Sequence, residues 1–352
     1  MKQLLFLFAG CLFLLQVFSQ SPVIKLPSSP KQVVVDSKDN VILHLYGGKI
    51  MKITPDGKNF FITEDIRKGI KKSPYPTCVA MTIDSDDNIY MADQDEVIWK
   101  LTPDGTVSLF AGVPFMSKVK DGDIKTAQFR DIELMETDPA GNIYLVERDN
   151  SNKDNLGDFY LIRKISTVGK VTTLANTREH PQLKTKWIAG MGIDSVGNIY
   201  LSDGNGRCIK KLAPGGEVTT LAGLCNKREF HPVYIQGDIV KAELMSPADI
   251  LINKKGEIIF SDSRLNRIIK IANKKVTTIA GNSIIQPNSV NMGGRSKEGY
   301  KDGKALTALF NFPLNCSIAI DSKQNIFIID GGNDCVRKLT SDGVVSTIAT
   351  TK

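Results

Sequence analysis

The chain has 352 residues, 41% of them apolar, with 45 basic and 38 acidic side chains and a net charge of +7. That balance excludes a disordered or collagen-like chain and suffices for one large core or two ordinary domains. No CxxC pair occurs and the three histidines lie far apart, so none of the usual zinc spacings is matched.

Lys2 precedes an apolar run from Leu4 to Phe18 and then Ser19, Gln20 and Ser21, the charged, apolar and small-residue order of a secretory signal. Cleavage is expected near Ser19 and Gln20, leaving residues 1–19 as signal and 20–32 as a lead-in. The run of 15 residues is shorter than the roughly 20 that span a bilayer. No later segment is a candidate span, so no membrane anchor is expected after cleavage. "FAGC", ending at Cys11, keeps a lipoprotein signal as the alternative. The expected location is secreted, periplasmic or at the cell envelope. Cys78, Cys208, Cys225, Cys316 and Cys335 then lie in an oxidising compartment, and their odd number leaves at least one thiol unpaired. Cys208 with Cys225 and Cys316 with Cys335 are the open pairings.

From Val33 onward one unit recurs. The copies are "VVVDSKDNVILHLYGGKIMKITPDGKNFFI" from Val33, "MTIDSDDNIYMADQDEVIWKLTPDGTVSLFAG" from Met81, and "METDPAGNIYLVERD" from Met135, completed by "FYLIRKISTVGKVTTLA". They continue as "IDSVGNIYLSDGNGRCIKKLAPGGEVTTLAG" from Ile193, "ILINKKGEIIFSDSRLNRIIKIANKKVTTIAG" from Ile250 and "IAIDSKQNIFIIDGGNDCVRKLTSDGVVSTIA" from Ile318. In each, an apolar run ends in Asp36, Asp84, Asp138, Asp194, Asn253 or Asp321, and Asn, Gly or Asp follows before a second run: a tight hairpin. A third run such as "IKKL" or "VRKL" alternates apolar with basic residues, as a half-exposed strand does. Turns such as "PDG" at 55–57 and 103–105 lead into a fourth run. Four short strands make an antiparallel meander that cannot bury both faces alone. Six such sheets around an axis cover one another. The spacing between equivalent positions grows from 48 to 68 residues, slack that a ring absorbs in its loops.

These copies resemble the NHL repeat: compare "IDSVGNIYLSDGNGRCIKKLAPGG" with that family's order of an apolar run, Asp, Gly-Asn, a strand ending in Asp, then Arg or Cys, Ile, Arg or Lys, Lys and a Pro-Asp-Gly turn. The resemblance implies an all-β fold, a six-bladed β-propeller of four-stranded antiparallel blades over residues 33–352. The blades are expected near 33–62, 79–110, 133–174, 189–221, 248–279 and 316–349. A weaker likeness extends to lactonase and lyase propellers.

Blade topology puts every long connection on one face: 63–78, 111–132, 175–188, 222–247 and 280–315, with an insertion near 150–158. The five connections hold 18 basic against 11 acidic residues, so that face is expected to be positive and to favour anionic partners. The expected function is a binding platform for an anionic glycan, peptide or envelope protein, acting as a monomer. Arg130, Lys186, Trp187, Arg228, Tyr234 and Arg295 are the candidate ligand residues. Nucleic acid is disfavoured by export. Three loops share a second motif, "DGDIKTAQF", "QGDIVKAEL" and "DGKALTALF", read as chain turns whose Ala and Phe129, Leu244 or Phe310 wedge between blades. No cofactor is required by this reading. The competing class is a lactonase- or lyase-like enzyme with Ca²⁺ or Zn²⁺ at the channel mouth, held by Glu133, Asp249 and Asn315. His44, His180 and His231 sit in unrelated positions, and no nucleophile motif or phosphate-binding loop is present.

Overall fold

The computed structural model describes residues 22–66, 78–116, 118–150, 159–185, 187–225, 235–282, 298–314 and 316–352. Each copy forms its own antiparallel sheet, with strands in chain order from the axis outward. Blade one is Pro30–Val35, Val41–Leu45, Lys49–Ile53 and Asn59–Thr63; the innermost strands of blades two to six are Cys78–Ile83, Ile132–Thr137, Ile188–Ile193, Pro247–Ile252 and Ile318–Ile320. The apolar core shows that the sheets close into a wheel. Every buried cluster is shared by two adjacent blades, and one of them joins Phe327 and Ile329 of blade six to Leu43 and Leu45 of blade one. The molecule is an all-β, six-bladed propeller.

The lower face is built from the first hairpin of each blade. Asp36 Oδ1 accepts hydrogen bonds from the amides of Lys38 and Asn40 at 3.0 and 2.9 Å, and Asp84, Asp138, Asp194 and Asp321 repeat the arrangement. The residue before the closing Asn is left-handed, with φ of 85° and 87° at Gly141 and Gly197, 62° at Asp39 and Asp87 and 66° at Gln324, a conformation that favours Gly and Asp at four of the five positions. In blade five Asn253 replaces the Asp and donates to Glu257 at 2.7 Å.

The structure departs from the sequence reading in three places. The third strands are not half-exposed: Arg337 of "VRKL" and Arg163 of "LIRKI" are fully buried and Lys210 of "IKKL" is 4% exposed. Only the neighbouring Lys338, Lys164 and Lys211 reach the surface. The buried cations are stabilised by acids at or near the end of the preceding strand, Arg163 by Glu147 at 2.7 Å, Arg337 by Asp330 at 2.8 Å and Lys210 by Asp203 at 3.4 Å.

Three long connections also do not stay on the upper face. Gly122–Asp123, Gly237–Asp238 and Gly303–Lys304 pair with the first residues of the outer strands of blades three, five and six, next to the lower turns. Each connection therefore runs down the outside of a blade and returns, adding a short outer strand. On the way back Ala127 with Phe129, Ala242 with Leu244, and Ala308 with Phe310 wedge between neighbouring blades, all at most 2% exposed. The second motif is thus a docking element.

Finally, Cys208 and Cys225 form a disulfide, whereas Cys78, Cys316 and Cys335 are buried free thiols. Cys316 and Cys335 flank the strand Ile326–Asp330 on opposite sides. Two strand spacings of about 4.8 Å exceed the reach of a disulfide, about 4.4–6.8 Å between Cα atoms.

Ahead of blade one, Ile24–Lys25 pairs in parallel with the outer strand Val344–Thr350 of blade six, straddling the closure of the ring. No helix among the described residues is long and apolar enough to cross a membrane.

Candidate functional site

The innermost strands of blades one, two, three and six, with Ala189, Asp249 and Leu251 from blades four and five, enclose an axial cavity of about 780 Å³. It runs from Tyr46, Pro313 and Gly331 at the upper end to Val35, Ile83, Thr137 and Ile320 at the lower. Its walls are mostly apolar, through residues such as Val33, Met81, Leu134 and Met135, and against them stand a few polar groups. That composition is typical of small-molecule sites.

The first polar group is His44. It lies in the second strand of blade one, in register with Gln32, and is 3% exposed. In blades four and five the equivalent column holds Ser202 and Ser261, whose hydroxyls donate to the next blade's Ala248 and Cys316 carbonyls at 2.7 and 2.9 Å. In blade one the corresponding acceptor, the Val79 carbonyl, is taken by Gln32 Nε2 at 3.0 Å. Both ring nitrogens of His44 are left without a partner among the described residues. Burial, and secondarily the charge of Lys31, pull its pKa down to about 4. At neutral pH it therefore presents one N–H donor and one bare nitrogen acceptor.

Asp249 and Glu136 supply the other polar groups. Asp249 accepts from the amides of Ile318 and Ile250 at 2.9 and 3.0 Å, yet burial pushes its pKa up to about 7. Glu136 stands well above its ordinary value, chiefly through burial and then through the charge of Asp249. The backbone explains their proximity. On the inner strand of blade three Leu134 packs with blade four, and Thr137 donates back to Ile83 of blade two, so alternation turns Glu136 toward blade four. There Gly190 has no side chain: a Cβ would lie 2.2 Å from the Ala248 carbonyl oxygen. Blade five closes up against this glycine and carries Asp249 with it.

The other sequence candidates are placed as follows. Arg130 is half-buried and ion-paired with Asp149 at 3.0 Å. Glu133 lines the cavity but meets Arg148 at 3.1 Å. Trp187 packs over Gly204, where a Cβ would lie 2.6 Å from its ring, and lines a second, upper cavity of about 800 Å³ with Arg207, Arg264 and Asn311. Lys186, Arg228, Tyr234, Arg295, Asn315 and His231 lie outside the described residues. His180 sits in a loop, with Nε2 3.1 Å from the Gly216 carbonyl. Among the described residues no group of three or more His, Cys, Asp or Glu could hold a metal ion.

Comparison with solved structures finds the same architecture in proteins of different activities. An auxiliary nutrient binding protein from Bacteroides thetaiotaomicron aligns with a TM-score of 0.60 at 15% identity, over 91% of this chain and 69% of that one. Virginiamycin B lyase from Staphylococcus aureus gives 0.52 at 15% identity over 94% and 87%, and a gluconolactonase from Xanthomonas campestris 0.55 at 10% over 92% and 88%. The structural neighbours are six-bladed propellers. At these identities the likeness establishes the fold alone. No protein-family model and no curated protein matches the chain.

From the sequence His44 falls among unrelated histidines and Glu136 is not singled out, although the aligned copies carry a signal for Glu136. Glu136 shares a column with Val34, Thr82, Gly192, Leu251 and Ala319, where it is the sole charge.

Proposed function

We propose that this chain is an exported, NHL-type binding propeller that takes a small polar molecule into its axial cavity from the upper face. The observation that carries the reading is His44, a buried side chain on the wall of the axial cavity whose two ring nitrogens are enclosed with no partner among the described residues. Such a group costs about 1–3 kcal/mol when left unsatisfied, and a bound ligand would remove that penalty. The amino-terminal signal would deliver the chain to the periplasm or cell surface. Shared architecture with nutrient-binding propellers supports a binding role by analogy only.

An anionic macromolecule on a positive upper face has less support. Lys125, Lys241 and Lys304 of the connections run down the blade edges, and Arg130 is already paired. The metal-assisted lyase or lactonase gains nothing from Glu133, whose carboxylate is engaged by Arg148. Native mass spectrometry after incubation with a defined panel of monosaccharides, amino acids and polyamines tests the reading. Wild-type protein should retain a member of the panel, and His44→Phe, which keeps the bulk without the nitrogens, should release it at least tenfold more readily. Retention by neither protein would count against the axial site.

A further inference from the structure

The fully buried carboxylates near the upper ends of the blades have their charge compensated. Glu147 meets Arg163, Asp330 meets Arg337 and Asp203 meets Lys210. Asp93 accepts from the Trp99 indole at 2.7 Å, and Asp262 accepts from four backbone amides, those of Met245, Ser246, Arg264 and Leu265. Glu136 and Asp249 break this pattern. Among the described residues no cation acts on either: Asp249 raises the cost of charge on Glu136, and the only compensation is the Thr137 amide for Glu136 and the Ile318 and Ile250 amides with the Ser317 side chain for Asp249. Both line the cavity, as does His44, whose buried ring nitrogens have no partner among the described residues. Two half-buried acids without a counter-ion are expensive when ionised.

We propose that the axial cavity binds an ammonium-bearing small molecule, its cation seated between Glu136 and Asp249 and a hydroxyl or carbonyl of its body paired with His44. The apolar walls at Met81, Leu134 and Met135 suit a short alkyl segment between the two polar ends. The proposal rests on the small-ligand reading above and narrows it to one chemical class. The other titratable groups on the cavity wall are Lys31, Tyr46, Cys78 and Glu133. Lys31 acts on His44, Glu133 is held by Arg148, and burial raises the Cys78 thiol, keeping it neutral.

Binding of a cation draws the proton off Asp249, so affinity must rise with pH. With the Asp249 carboxyl near 7, the gain is about tenfold between pH 6 and pH 8. An alkylammonium, with a pKa like that of lysine, about 10.4, stays charged throughout. The probes are 5-amino-1-pentanol and 1,5-pentanediol, which match in length and differ in the ammonium. Isothermal calorimetry should show the amine binding about tenfold tighter at pH 8 than at pH 6, with proton release seen as a different heat in phosphate and in HEPES. The diol should show neither effect. Asp249→Asn should flatten the pH profile and Glu136→Gln should weaken the amine at both pH values, with a thermal melt to confirm folding. Equal binding of diol and amine, or a flat wild-type profile, overturns the ammonium assignment. If the amine fails while a panel member is held through His44, the ammonium class falls and the small-ligand reading stands. If nothing binds, both fall.

Discussion

At the scale of single residues the chain contains its own controlled comparison. Asp121 and Asp302 each bond a buried arginine, Arg163 and Arg337, and each also accepts from an outer-strand amide, Thr173 at 2.8 Å and Thr347 at 3.0 Å. Blade five carries Gln236 and Ile269 in the same two places, and Gln236 Oε1 still accepts from Thr278 at 3.2 Å. Where the arginine is absent the carboxylate is absent too, and the neutral amide keeps the docking bond. Charge at these positions is therefore a matched pair, enclosed for Arg337 between the rings of Tyr300 and Phe310, each 5.0 Å away. Removing one partner leaves a buried charge exposed to a low-dielectric surround, about 3–5 kcal/mol. Arg337→Ile should cost that much by urea unfolding, and Arg337→Ile with Asp302→Gln should cost measurably less. An equal loss in the two variants would mean that Asp302 carries none of the cost and that it falls on Asp330, the arginine's fully buried partner.

At the scale of elements the question is how the wheel closes. The lower hairpins link around it: Ser37 donates amide and hydroxyl to Asp87 of blade two, at 2.7 and 2.8 Å, and Ser322 of blade six donates likewise to Asp39 of blade one, at 2.8 and 2.7 Å. Sequence ends thus meet through the same device that joins sequence neighbours. Above, Ile24 and Leu26 bury themselves between blades six and one. A chain starting at Pro27 loses both side chains, at about 1.5–3 kcal/mol each. It should unfold at a urea midpoint lower by the equivalent of roughly 3–6 kcal/mol, and an unchanged midpoint would show that the strap is incidental. The repeating hairpins were legible in the sequence because a tight turn needs Asp, Asn and Gly at fixed offsets. The descent of "DGDIKTAQF" along a blade edge was not. Its register is set by Asp121 bonding Thr173, 52 residues away, and nothing local announces it. The burial of Arg337 escaped for a similar reason, since alternation tells which residues share a face but not that both faces of a propeller blade are covered.

For the whole molecule, fold and function were legible to different degrees. Six copies with a two-residue period can bury their faces only against one another, so the wheel follows from the chain. The axial site depends on which inner-strand residues break that pattern, Glu136 in a column of uncharged residues and Gly190 where blade five closes in. The same residues make a prediction about stability. Asp249, Glu147 and Glu96 have pKa values pushed up to about 7, mainly by burial, and Glu136 is raised as well. For these acids the folded state holds protons that the unfolded chain has already released, so stability falls as pH climbs from about 4 to 7. His44, lowered to about 4, acts oppositely between about 4 and 6.5, but it is one group against four. Below pH 4 the depressed carboxyls, Asp36, Asp39 and Asp194, lose their stabilising bonds as they protonate. The ligand-free protein should therefore melt highest near pH 5 and several degrees lower at pH 8. Asp249→Asn should raise the melting temperature at pH 8 and raise it less at pH 5. A wild-type maximum at or above pH 7, measured by differential scanning calorimetry, would mean that the axial acids are already compensated, and the argument for a cationic ligand would lose its footing.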